Sequence, residues 1–255
     1  PRGSHMIGIQ DIGTYIPTKR ISNYERFGEY DVDEQFVRDK LGIDSVAIKD
    51  PEERASDLAV KAFDNLCARS GLLREAVDCL VVVTQNPDHS LPHTAAVLHE
   101  KAGLQPSCAA FDLSLGCSGF VYGLSIVESF MERNGLETGI LVTADPYSEI
   151  VDAEDRNTAM LFGDAAAATL ISTTPRYVSG RFTFGTVGEL HRDLLCAGGL
   201  LSMNGRGVFN FAQRYVPRDI MQLIERNHLA LDDIDLFLFH QASKYMVDTI
   251  AARLR

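Results

Sequence analysis

The chain has 255 residues, 45% of them hydrophobic, which is material for one large domain or two fused halves. A formal net charge of −11 argues against a generic nucleic-acid or membrane-surface protein. The five cysteines (67, 79, 108, 117 and 196) include no C-x-x-C pair, and an odd count without metal-type spacing fits reduced thiols in a cytoplasm. No stretch reads as a membrane span or a signal peptide, and Pro1-Arg2-Gly3-Ser4-His5 has the look of a cleaved affinity tag, so the natural start is placed at Met6.

Met6 to Tyr15 alternates Ile7, Ile9 and Ile12 with small or polar residues and breaks at Pro17, an opening strand and turn. Residues 33–41 predict a short helix stopped at Gly42. A longer helix is expected over 56–69, with Leu58, Ala62, Phe63 and Leu66 on one face. Cys79-Leu80-Val81-Val82-Val83 is apolar throughout, as in a strand covered on both sides. Residues 85–92 form a polar loop. Its His89 and His93 have an i, i+4 spacing, but Pro92 between them argues against a regular helix, and no metal site is expected. A helix over 94–101 follows, then a buried strand over 110–115.

After Cys117 comes a helix that is apolar nearly all round: Phe120, Val121, Tyr122, Leu124, Ile126 and Val127. Such a helix is expected to be buried. Residues 139–144 and 165–171 read as further strands, with a polar turn at 155–158 between them. In the second half, Arg181-Phe182-Thr183-Phe184 alternates as a strand. Residues 188–204 look irregular, and a long helix over 208–226 should end or kink at Pro217. Asp235-Leu236-Phe237-Leu238-Phe239 reads as a strand ending at His240, and the chain stops inside the helix that follows. Strands alternating with helices indicate an α/β protein with layered sheets.

Each half places a reactive side chain directly after an apolar strand: Cys117 in the first, His240 in the second. Strand ends are where α/β proteins build sites. At the mouth of a helix, exposed N–H groups and the helix dipole favour a thiolate, which makes Cys117 a candidate nucleophile with a lowered pKa. The alternative is a small buried core thiol. For His240 the alternative is a capped histidine at a strand end.

Four segments in order resemble one family. Leu113-Ser114-Leu115-Gly116-Cys117-Ser118-Gly119-Phe120 is similar to the nucleophile segment of β-ketoacyl-[acyl carrier protein] synthase III. Phe239-His240-Gln241-Ala242 is similar to that family's histidine segment, Gly13-Thr14-Tyr15-Ile16-Pro17 to its opening motif, and Phe162-Gly163-Asp164-Ala165-Ala166 to its Gly-Asp-Gly-Ala turn, with Ala165 where the family has Gly. The resemblance implies a thiolase-like five-layer αβαβα sandwich of two similar halves, 6–175 carrying the nucleophile and 176–255 incomplete at its C-terminus, and a cytoplasmic homodimer. The family's third catalytic residue is an asparagine beyond the histidine helix. The sequence stops before it, so the expectation is that the natural chain continues past Arg255 and that these 255 residues lack the second enolate donor and so the full activity.

The chemistry implied is a decarboxylating Claisen condensation in fatty acid biosynthesis. Cys117 takes the acyl group from acyl-CoA, a substrate rather than a cofactor, and malonyl-[acyl carrier protein] is the second substrate. His240 donates a hydrogen bond to the enolate oxygen. By position, Phe36 and Arg156 sandwich the adenine of coenzyme A, with Phe36 alternatively a core residue. Lys40 meets phosphate. Gly205, Arg206 and Phe209 line the pantetheine tunnel, unless Asn-Gly-Arg-Gly is a plain turn, and Ala242 and Ser243 complete the coenzyme-binding set. Leu91 matches the residue each subunit inserts into its partner's acyl pocket, and its size points to medium or branched acyl groups. Lys40, Arg206, Arg214 and Lys244 are candidates for docking an acidic carrier protein, with a solvated surface charge the preferred reading of any single one of them. The competing readings are an acyltransferase of secondary metabolism that passes the acyl group from Cys117 to an oxygen or nitrogen nucleophile, a non-catalytic subunit of a condensing heterodimer, and a papain-like Cys/His hydrolase.

Overall fold

A computed structural model describes residues 6–254; the tag-like 1–5 and Arg255 lie outside the described residues. In chain order the elements are β1 (Gly8–Tyr15), β2 (Arg20–Ser22), α1 (Phe27–Tyr30), a π-helical turn (Phe36–Leu41), β3 (Ser45–Ala47), α2 (Ala55–Ser70), β4 (Cys79–Val83), α3 (Thr94–Lys101) and β5 (Ala109–Leu113). They continue with α4 (Gly119–Asn134), β6 (Thr138–Pro146), α5 (Arg156–Ala159), β7 (Asp164–Ser172), β8 (Tyr177–Val178), β9 (Leu194–Ala197), β10 (Leu200–Met203), α6 (Gly205–Arg226) and α7 (Lys244–Ala252). Contacts divide the chain into two compact units. Among the described residues, one comprises 6–18, 49–146 and 164–179; the other comprises 19–48, 147–163 and 180–254.

The first unit is built on a six-stranded mixed sheet in the order β5-β4-β6-β7-β1-β8. β4 runs parallel to β5 and β6, while β7 is antiparallel to both β6 and β1. Cys79 pairs with Gly139 and Val83 with Thr143, which fixes the faces of the two central strands. Leu80, Val82, Ile140 and Val142 turn to one side, where they pack with Leu58, Ala62, Phe63 and Leu66 of α2 and Leu98 of α3. Val83 and Leu141 turn to the other side, under α4. Both faces of β4 are therefore covered, and Leu80 to Val83 are at most 2% exposed. Burying each such aliphatic side chain contributes about 1.5–3 kcal/mol. At Gly13 an added Cβ would run into the backbone of Ala62 and Leu66, so the absent side chain is what lets α2 lie directly on β1.

The second unit holds two short antiparallel pairs, β2–β3 and β9–β10, with α1, α5, α6 and α7. Its apolar cluster is Tyr30, Val37, Leu41, Ala159 and Met160, with Phe36 packed at the edge. Arg26 braces it by donating to the carbonyl of Ala159 at 3.0 Å and to the Tyr30 hydroxyl, and burial pushes the Tyr30 phenol up to about 12.

Several expectations are corrected here. Residues 181–184 and 235–239 are not strands. Neither pairs with a strand among the described residues, and Leu236 and Leu238 are 71% and 87% exposed. Alternation marks a segment able to pair, but pairing needs a neighbour. The irregular stretch 188–204 contains the β9–β10 hairpin, turned by Gly198 and Gly199 at φ of 61° and 83°. Helix α6 runs through Pro217 without ending. Proline has no N–H, so the Gln213 carbonyl four residues earlier loses its helical donor. Arg253 supplies the donor instead, at 2.8 Å, and its second nitrogen reaches the Gln213 side chain at 2.8 Å.

Candidate active site

In the first unit Cys117 sits in the turn between β5 and α4, two residues before the helix begins. The turn is tight: the Gly119 N–H bonds the Gly116 carbonyl at 2.8 Å. A Cβ on Gly119 would collide with the Val83 side chain, and one on Gly123 would lie 2.7 Å from Leu141. These two glycines let the start of α4 rest on Val83 at the end of β4 and on Leu141 of β6, which sets the position of the thiol. The helix is less enclosed than its composition predicts. Gly123, Leu124, Val127 and Met131 are buried, whereas Val121 is 46% exposed.

The sulfur's electrostatics differ from the helix-mouth expectation. Cys117 is exposed to solvent. Desolvation pushes its thiol above the usual range. Its own backbone N–H pulls the other way, and the Asp145 carboxylate adds to the rise. The direction is opposite to the lowered pKa expected: loss of hydration and a nearby anion outweigh the pull of the thiol's own backbone N–H.

Asp145, at the end of β6, carried no signal in the sequence. One of its oxygens accepts from Thr84 Oγ1 at 2.9 Å, Gln85 N at 2.8 Å, and the backbone and side-chain nitrogens of Asn86, each at 3.1 Å. Even so, desolvation raises its pKa. Further along the same loop, Asp112 of β5 accepts from Thr94 N and Ala95 N, both at 2.7 Å, at the start of α3. The carboxylate thus caps the helix. Two strand-end carboxylates hold the loop 84–93 at both ends, and on it Leu91 stands 87% exposed. His93 turns its ring to the Ala110 carbonyl at 3.2 Å.

In the second unit His240 lies in the loop before α7, where its carbonyl accepts from Ala242 N at 3.0 Å. Desolvation lowers its pKa, so the ring is neutral at pH 7 and keeps one N–H to donate. Ser243 is the N-cap of α7, accepting from Met246 N at 3.3 Å. Asn204 caps α6 by accepting from Gly207 N at 3.1 Å, so Gly205 and Arg206 form the first helical turn rather than a plain loop turn. Phe36 and Lys40 lie on the π-helical turn, a geometry often found at functional sites. Phe36 is partly buried against the apolar cluster. Arg156, on α5, donates to the Tyr30 carbonyl of that same cluster at 3.4 Å. The Lys40 ammonium lies over the Tyr245 ring at 4.0 Å, and Phe209 stacks on Tyr245 with centroids 5.2 Å apart. The structure thus joins Lys40 and Phe209 through a tyrosine that sequence reasoning missed.

Known proteins are similar to this chain in sequence and in fold. Residues 111–188, which include Cys117, match the model of the family described as 3-oxoacyl-[acyl-carrier-protein (ACP)] synthase III. The β-ketoacyl-[acyl-carrier-protein] synthase III of Lactococcus lactis subsp. cremoris (strain MG1363) is 33% identical over 263 residues, spanning 96% of this chain and 80% of the relative. A 2.1 Å crystal structure of a 3-oxoacyl-(acyl-carrier-protein) synthase III superposes with a TM-score of 0.92 at 30% identity, covering 98% of this chain and 82% of that one. The Thermus thermophilus β-ketoacyl-[acyl carrier protein] synthase III gives 0.89 at 32% identity, with 97% and 80% covered. The fold is accordingly the mixed α/β arrangement of the thiolase-like condensing enzymes. With these identities over four fifths of the relatives' length, the chain belongs to the β-ketoacyl-[acyl carrier protein] synthase III family.

Proposed function

We propose that this protein is an acyltransferase that condenses an acyl-CoA with malonyl-[acyl carrier protein], releasing carbon dioxide and giving 3-oxoacyl-[acyl carrier protein]. The observation that carries the reading is a solvent-reached thiol in the glycine-braced turn before α4, in a chain whose relatives carry that name. The Cys117 sulfur attacks the acyl-CoA carbonyl, with its own N–H as an oxyanion donor. The bond to the coenzyme sulfur breaks, and coenzyme A leaves as the thiol with the proton Cys117 gave up. In the malonyl thioester the bond to the carboxylate then breaks. Its electron pair forms an enolate as carbon dioxide departs, and no base is needed. A neutral His240 donates to the oxygen on which that charge develops. The enolate carbon attacks the acyl-cysteine carbonyl, and the Cys117 thiolate leaves and is reprotonated.

Phe36 and Arg156 serve the adenine in this reading, Lys40 a phosphate, and Gly205, Arg206, Phe209, Ala242 and Ser243 the rest of the coenzyme. Leu91 bounds the acyl chain in a homodimer. The reading keeps 6–175 as the nucleophile half and 176–255 as its partner half, and places the enzyme in the cytoplasm. Intact-protein mass spectrometry after incubation with a panel of acyl-CoAs tests it. One acyl mass is gained on Cys117 and none on Cys117→Ala; a gain that survives the substitution removes the nucleophile.

A further inference from the structure

Tyr245 stands where three elements of the second unit meet, and neither the motifs nor the mechanism above uses it. It lies on the first turn of α7. That turn abuts the end of the π-helical turn: a Cβ on Gly42, which caps the turn at φ 71°, would lie 2.5 Å from Lys244 Cβ. The close approach brings the Lys40 ammonium over the Tyr245 ring face at 4.0 Å. Phe209, from the first turns of α6, stacks on the same residue with an interplanar angle of 18°. The neighbouring lysine is engaged elsewhere, since Lys244 pairs with Asp248 along α7. Tyr245 itself is 44% exposed.

A lysine is a flexible, strongly hydrated point charge, and confining it before a ligand arrives removes part of the entropy lost on binding. A ring face does so without neutralising the charge, as a carboxylate would. We propose that Tyr245 is a positioning residue for the phosphate-bearing acyl donor: its ring holds Lys40 over the coenzyme site, with Phe209 holding the ring. This rests on the coenzyme role of Lys40 proposed above. The contribution belongs to substrate affinity and not to the acyl-transfer step.

The test follows Cys117 acylation by mass spectrometry against concentration, for an acyl-CoA and for the matching acyl-pantetheine, which has no phosphate. Tyr245→Ala should raise the half-saturating acyl-CoA concentration about two- to fivefold, the effect of an exposed cation–π contact. Its maximal rate should not change, its loss with acyl-pantetheine should be clearly smaller than with acyl-CoA, and Tyr245→Phe should behave as the parent. Equal losses with both thioesters, or equal losses in Tyr245→Phe and Tyr245→Ala, or no change in Tyr245→Ala, each overturn the proposal. If the parent discriminates between the two thioesters but Lys40→Ala does not reduce that discrimination, the role of Lys40 itself fails. A parent protein acylated by neither thioester overturns the catalytic reading and the proposal with it.

Discussion

A thiol whose pKa is raised reacts as a nucleophile only through the small thiolate fraction present at neutral pH, so the setting of Cys117 has a measurable signature. Its alkylation by iodoacetamide should accelerate with rising pH, with a midpoint above the ordinary thiol range. The Asp145 carboxylate disfavours the thiolate. Asp145→Asn removes that charge while keeping an acceptor for Thr84, Gln85 and Asn86, and the midpoint should move down. A profile that does not move would show the two groups to be uncoupled. His240 works in the opposite sense. Desolvation disfavours its imidazolium, so the neutral ring persists below the ordinary value of 6.5. The acid limb of malonyl decarboxylation should therefore fall below pH 6.5. Loss of the donor in His240→Ala should cost about 10²–10³ in decarboxylation and leave Cys117 acylation in place.

At the scale of the element, the start of α4 and the proline in α6 each depend on a neighbour. Gly119→Ala places a methyl group against Val83, whose branched side chain is fully packed in β4. Overpacking costs about 1–3 kcal/mol. The gain in helix propensity is at most about 1 kcal/mol. Net destabilisation should appear as a lower urea midpoint with an unchanged slope. In α6, Arg253 stands in for the N–H that Pro217 lacks. Arg253→Ala should cost about 0.5–1.5 kcal/mol. In a Pro217→Ala background that cost should shrink to half or less, because the substitution restores a backbone N–H that takes the Gln213 carbonyl. A double-mutant cycle in urea measures the difference, and strict additivity would show that the proline and the arginine are unrelated.

For the whole molecule, Leu91 is the informative position. A large apolar side chain left 87% exposed, on a loop clamped at both ends by carboxylates, suits insertion into a second copy. Light scattering should give about twice 28.1 kDa. Leu91→Phe should shift the acyl-CoA preference to shorter chains and Leu91→Gly to longer ones, read as the acyl masses found on Cys117. An unchanged profile in both variants would remove Leu91 from the acyl pocket.

Much of the frame was legible in the chain. The apolar run 79–83, the one-faced pattern over 56–69 and the glycines around Cys117 each carry their structure within a few residues, because side-chain period and backbone freedom are local properties. The Gly198-Gly199 hairpin was missed, although its paired glycines are a local turn signal. Segment 181–184 had the alternation of a strand and 235–239 its apolar run, yet neither is a strand, since a ladder needs a second backbone alongside. Tertiary structure alone decided the raised thiol, the Asp145 clamp, the Arg253 bond to a carbonyl 40 residues away and the Lys40–Tyr245–Phe209 stack. Desolvation and charge proximity depend on which distant residues arrive beside a group, and no local pattern encodes that.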